Sequence, residues 1–138
     1  MSLNKTALLV GAAALIAAAP AGAGSTATIT ISHQMRGCHE WQLGTGAPKP
    51  TLGMTLKAGT VLRFVNDDVM PHKLVQQGGP KLTLSHPNMK RMGASTAVKF
   101  GRTGVYRFTT KAGEDYPWMH SMKTIGKDYI LHLTVRVK

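Results

Sequence analysis

Lys57-Ala58-Gly59-Thr60-Val61-Leu62-Arg63-Phe64-Val65-Asn66-Asp67-Asp68-Val69-Met70-Pro71-His72 is the stretch on which the fold turns. Lys57 to Thr60 reads as a tight turn. Val61 to Val65 is β-branched and aromatic, the composition of a strand, and Asn66-Asp67-Asp68 closes it with side chains that favour turns. His72-Lys73-Leu74-Val75-Gln76 then reads as a short strand stopped by Gly78-Gly79-Pro80. Outward from this centre the same grammar repeats. Thr28-Ile29-Thr30-Ile31 alternates polar and apolar, and Leu52, Met54 and Leu56 recur at period two. Leu131, Leu133, Val135 and Val137 share one face of a last strand, with His132, Thr134 and Arg136 on the other. Ala97 to Phe100 and Val105 to Thr110 flank Gly101-Arg102-Thr103-Gly104, which predicts a hairpin. His33 to about Pro50 reads as a long loop, and Lys81 to Ser95 as irregular chain. Short strands punctuated by turns, with no amphipathic helix past the N-terminus, predict an all-β protein: an antiparallel Greek-key sandwich.

The chain has 138 residues, the length of one ordinary domain. Apolar residues make up 43% and aromatics 6%, so the core must be largely aliphatic. The N-terminus reads as a targeting segment. Lys5 is followed by an apolar run from Ala7 to Ala19, then Pro20, then Ala21-Gly22-Ala23. The run is shorter than the roughly 18 to 20 residues that cross a bilayer, which favours a cleaved signal over an anchor. The expected organisation is therefore a signal peptide at 1–23 and one domain at 24–138, exported to a periplasmic or extracellular location. In such a compartment a lone thiol is a hazard unless it is buried, bound to metal or paired between chains. Cys38 is the single cysteine and lies between Gly37 and His39.

Two segments carry a family resemblance. Lys57-Ala58-Gly59-Thr60-Val61, Phe64-Val65-Asn66-Asp67-Asp68 and Pro71-His72 together resemble the first half of a cupredoxin. Gly104-Val105-Tyr106-Arg107-Phe108 resembles the strand that precedes the family's ligand loop, and Leu131-His132-Leu133-Thr134-Val135 its last strand. The resemblance implies a cupredoxin-like sandwich, copper as cofactor, electron transfer, and His72 as the first copper ligand. The chain departs from the blue-copper pattern at one decisive place. The Tyr-x-Phe strand continues as Thr109-Thr110-Lys111 where the family has a cysteine, and His120, Met119 and Met122 follow only in a longer loop. In the family the first and third strands run parallel and side by side, which would bring the loop beginning at His33 to the same edge as His72. The expectation is a relocated thiolate: Cys38, with His72, His39 or His120, and Met122 as a soft ligand. Copper sites combine such donors.

Plainer readings stand beside each candidate. Cys38 reads equally as a small buried hydrophobe, His39 as an exposed neighbour, and Met119 or Met122 as core filler. His33 is a weak candidate, His86 has no partner in view, and His132 belongs to a solvated face with Arg136. The adjacent acids Asp67-Asp68 and Glu114-Asp115 read as turn residues. The net charge of +11 draws the chain to anionic surfaces or to an acidic redox or copper-delivery partner. The basic residues form no cluster, with Lys90-Arg91 the one adjacent pair, so nucleic acid is not an expected partner. No arrangement of residues speaks for an enzyme. Three classes follow: an electron carrier, a copper chaperone or scavenger, and a metal-free binding module.

Overall fold

The computed structural model describes residues 24–33, 39–112 and 130–138. Nine strands run in chain order: β1 Thr26–His33, β2 His39–Leu43, β3 Thr51–Leu56, β4 Val61–Asp67, β5 His72–Gly78, β6 Asn88–Met89, β7 Ser95–Lys99, β8 Gly104–Ala112 and β9 His132–Val137. They form two sheets, β2-β1-β4-β7 and β3-β9-β8-β5-β6, and no helix occurs among the described residues. Most neighbours are antiparallel, but β1 lies parallel to β4 and β3 parallel to β9. The expected all-β, cupredoxin-like sandwich is therefore present, with mixed sheets. The first-to-third-strand pairing is also present, as β1 beside β4 from Thr26↔Val61 to Ser32↔Asp67.

The core follows from period-two alternation, because successive side chains on a strand point to opposite faces. Ile29 and Ile31 of β1, Trp41 of β2, Leu62 and Phe64 of β4, Leu74 of β5, Tyr106 and Phe108 of β8, and Leu133 and Val135 of β9 are all buried. Phe64 sits between the sheets, its ring 6.0 Å from that of Trp41 and 5.8 Å from that of Phe108. At Gly79 (φ 95°) a Cβ would stand 2.3 Å from the Val105 carbonyl oxygen, so the turn after β5 packs backbone against β8 and admits only glycine.

Three expectations need correction. The segment from Ala97 to Thr110 is not a hairpin. β7 pairs with β4 in the first sheet and β8 with β5 and β9 in the second, so residues 100–103 carry the chain from one sheet to the other. The supposed loop from His33 to Pro50 contains β2, which returns antiparallel along β1 with His33 opposite His39. The irregular stretch holds the two-residue β6, paired with the start of β5.

Candidate metal centre

Five inward rows of the core lead to a polar residue at the same end of the sandwich. On β4 the row runs Leu62, Phe64, Asn66 and, just past the strand, Asp68, all buried. On β5 it runs Leu74 to His72, on β2 Trp41 to His39, on β8 Phe108 to Thr110. Ile29 and Ile31 of β1 lead to His33 on the same face. The parallel pairing of β1 with β4 and the antiparallel pairing of β5 with β8 gather these five residues at one end of the sandwich.

Asp68 accepts from two of them. His72 Nε2 lies 2.8 Å from Asp68 Oδ2 and His33 Nδ1 2.7 Å from Oδ1. His39 Nδ1 is 3.8 Å from Oδ2. The rings of His39 and His72 meet edge to face, centroids 4.8 Å apart at 83°. On its other side His72 Nδ1 is 3.2 Å from Thr110 Oγ1. An ionised carboxylate only accepts, so the His72 proton in this network belongs on Nε2. Nδ1 then carries the ring's one lone pair, which accepts from the Thr110 hydroxyl and would ligate a metal only in place of that hydrogen bond. His72 is fully buried and His39 nearly so, while the His33 side chain is 41% exposed. Ligand atoms of His39, Asp68 and His72 all lie within 4.8 Å of one another.

The turn between β4 and β5 is shaped by Asn66. Its Oδ1 accepts from the Asp68 amide at 2.9 Å, and its Nδ2 donates to the carbonyls of Met70 and Met89 at 2.8 and 3.0 Å. Asp68 Oδ1 accepts from the Val69 amide at 2.7 Å. Burial pushes the Asp68 carboxyl up. The hydrogen bonds from His72 and His33 and the charges of His72 and His39 together pull it further down, and the net shift is below its ordinary value of 3.8.

Of the residues singled out from sequence, the structure brings His72 and His39 together. His39 is buried, not an exposed neighbour. Cys38, Met119, His120 and Met122 lie outside the described residues, as does the expected signal segment 1–23. His33, read as weak, is in the cluster. His86 and His132 are exposed on other surfaces. Asp68 and Thr110 were not among the candidates. In sequence Asp68 reads as backbone turn chemistry, yet the period-two row through Leu62, Phe64 and Asn66 carries it inward. Two imidazoles and a carboxylate, buried and pre-oriented, suit first-row transition ions such as copper or zinc.

No protein-family model matches the sequence, and no curated protein matches it. Among solved structures the chain is similar to a purple cupredoxin from Nitrosopumilus maritimus, at 20% identity and TM-score 0.49 over 81% of this chain and 99% of that one. It is similar to amicyanin from Paracoccus versutus at 19% identity and TM-score 0.45, over 87% and 85%. A cysteine protease inhibitor from Entamoeba histolytica matches at 9% identity and TM-score 0.44, over 83% and 96%. Likeness at this level extends to sandwiches of unlike function, so the fold assignment rests on strand order and register.

Proposed function

We propose that this chain is an exported copper-binding domain of the cupredoxin type that works in electron transfer. One observation carries the reading: two buried histidines from different sheets, His39 and His72, converge with Asp68 at the polar end of the core. His72 and His39 would hold the metal. Copper would supply one-electron redox chemistry. Asp68, by accepting from His72 Nε2, keeps that ring turned with Nδ1 toward Thr110, the carboxylate–histidine arrangement that fixes a ligand's tautomer and orientation. The sandwich holds these rings before any ion arrives, which favours little rearrangement between oxidation states. Cys38, His120 and Met122 are proposed as further donors, Cys38 supplying the thiolate that β8 lacks.

A second reading, copper delivery or scavenging, is favoured by one feature. Thr110 stands at His72 where the resemblance leads one to expect cysteine, so the site is softened only if sulfur comes from elsewhere. The cation-rich chain suits an acidic partner in either role.

A Cu(II) titration followed by visible absorption tests both. Near-stoichiometric binding that His72→Ala weakens at least about tenfold supports the site. An intense charge-transfer band lost in Cys38→Ser supports the thiolate, and reversible redox cycling separates carrier from chaperone. Absence of binding would leave a metal-free sandwich and sink the proposal.

A further inference from the structure

The outward face of the first sheet carries a feature that the metal centre does not use. Leu62 and Phe64 point inward, so Arg63 between them points out, with Ala97 of β7 directly opposite. Arg63 Nη2 donates to Ser95 Oγ at 3.2 Å. Thr96 Oγ1 donates to the Ser85 carbonyl at 2.9 Å, which ties the segment before β6 to β7. Together these residues border a hollow of about 370 Å³ lined by Arg63, Ser85, His86, Ser95, Thr96 and Ala97. The lining offers a guanidinium, an imidazole and hydroxyls, and it includes no carboxylate.

His86 marks the hollow as more than a gap. Its φ is 56°, the only positive value at a non-glycine among the described residues. The left-handed region is unfavourable for a side chain with a Cβ, and the residue before a proline, here Pro87, is ordinarily extended. The turn is fixed on either side, where Thr96 Oγ1 donates to the Ser85 carbonyl and Leu74 N to the Pro87 carbonyl at 2.9 Å, while the His86 side chain itself is exposed and glycine would adopt the conformation freely. The turn thereby presents an imidazole on the lining of a hollow that also presents the Arg63 guanidinium.

We infer that this hollow binds a phosphate-type oxyanion. A guanidinium matches phosphate in a bidentate fork, and serine hydroxyls donate to the remaining oxygens. The chain's charge of +11 raises the local concentration of such anions. The phosphate can be a free ion or a group displayed on a lipid, and the chemistry of recognition is the same.

The test is titration of the full chain with inorganic phosphate, at ionic strength held constant with chloride, followed by NMR of backbone amides and arginine Nε. Saturable shifts confined to Arg63, Ser85, His86 and Ser95 are expected. Arg63→Gln should weaken binding at least tenfold. His86→Gly should weaken it several-fold while leaving Tm unchanged or raised, an outcome a merely structural histidine would not give. A second arm compares vesicles of phosphatidylcholine with and without phosphatidic acid. Binding that needs both phosphatidic acid and Arg63 shows the hollow takes a displayed phosphate, and binding of inorganic phosphate alone assigns it the free ion. Shifts scattered over the lysines, no preference for phosphate over chloride, or unchanged affinity in Arg63→Gln would overturn the inference. Because copper is not involved, the result is independent of the metal reading.

Discussion

The two ends of the sandwich are closed in opposite ways. At the end near Gly59 the inward rows beside β7 and β8 carry aromatics, with Phe100 and Tyr106 in edge-to-face contact at 4.9 Å. Backbone pairs seal that end: Gly59 N to Phe100 O at 2.7 Å, Phe100 N to Thr60 O at 3.0 Å and Ala58 N to Lys138 O at 2.8 Å. At the other end the rows of β1, β2, β4, β5 and β8 lead to His33, His39, Asp68, His72 and Thr110. Here side chains satisfy side chains: Asp68 accepts from His33 and His72, and Thr110 meets the far side of the His72 ring. Buried ionic groups are weak contributors to stability compared with apolar packing. The polar end is thus where this fold gives up packing and acquires chemistry.

The largest effect should come from the region the two ends share. Phe64 is fully buried against Trp41 and Phe108. Phe64→Ala should cost about 4 kcal/mol by transfer and cavity terms, read as a fall in the urea midpoint. A loss under about 1 kcal/mol, far below that range, would mean the two sheets are not joined through one core, and the contrast between their ends would lose its basis.

Next comes the polar end itself. Asp68→Asn replaces one acceptor oxygen with a donor, so one ring must change tautomer or lose its partner, and the substitution should cost about 2 kcal/mol, the scale for a buried group losing its hydrogen bond. It should also alter the acid limb of stability. With the folded pKa below 3.8, the unfolded chain takes up this proton first as pH falls. The stabilisation from Asp68 is therefore complete above its unfolded value and is lost as pH drops through the lower folded value. Urea unfolding between pH 5 and 2 should show a shallower decline in Asp68→Asn than in the parent. Equal slopes would mean that Asp68 is not the acid-sensitive element of this end.

A third substitution sharpens the chemical side of the contrast. Thr110→Cys places a thiol beside His72 Nδ1, where the hydroxyl now lies at 3.2 Å. The stability change should be small, about 1 kcal/mol for a near-isosteric swap that loses one hydrogen bond. With Cu(II), Thr110→Cys combined with Cys38→Ser should show an intense visible charge-transfer band that Cys38→Ser alone lacks. Failure to gain a band would show that the strand end does not face the metal.

How far the sequence foretold this division depends on scale. Strands with clean alternation, such as Thr28 to Ile31, Leu52 to Leu56 and Leu131 to Val137, are legible because burial on one face imposes period two. β2 is legible only in hindsight: His39, Trp41 and Leu43 alternate with Glu40 and Gln42, but the run is five residues long inside a glycine- and proline-containing stretch. The segment after Phe100 misleads because a glycine-flanked turn suits both a hairpin and a crossing between sheets, and local chemistry does not choose. His72 is singled out through the family resemblance that the turn before it carries. Asp68 is not, since an aspartate after a strand serves backbone turns so often that its inward phase goes unnoticed. The convergence of His33, His39 and His72 on it depends on strand pairings distant in sequence, from β1 with β2 and β4 to β5 with β8.

The smallest effect belongs to the apolar end and tests whether the ends act separately. Tyr106 is buried, and its hydroxyl donates to the Arg102 carbonyl at 2.7 Å across the sheet-to-sheet crossing. Tyr106→Phe keeps the ring and its contact with Phe100 and removes one hydrogen bond, so it should cost about 1 kcal/mol. It should leave copper affinity and the acid limb of stability unchanged, because sites without shared partners add independently. Altered metal binding in Tyr106→Phe would mean that β8 transmits strain along its length from Tyr106 to Thr110. The polar end would then be held by the whole strand and not only by the side chains that meet there.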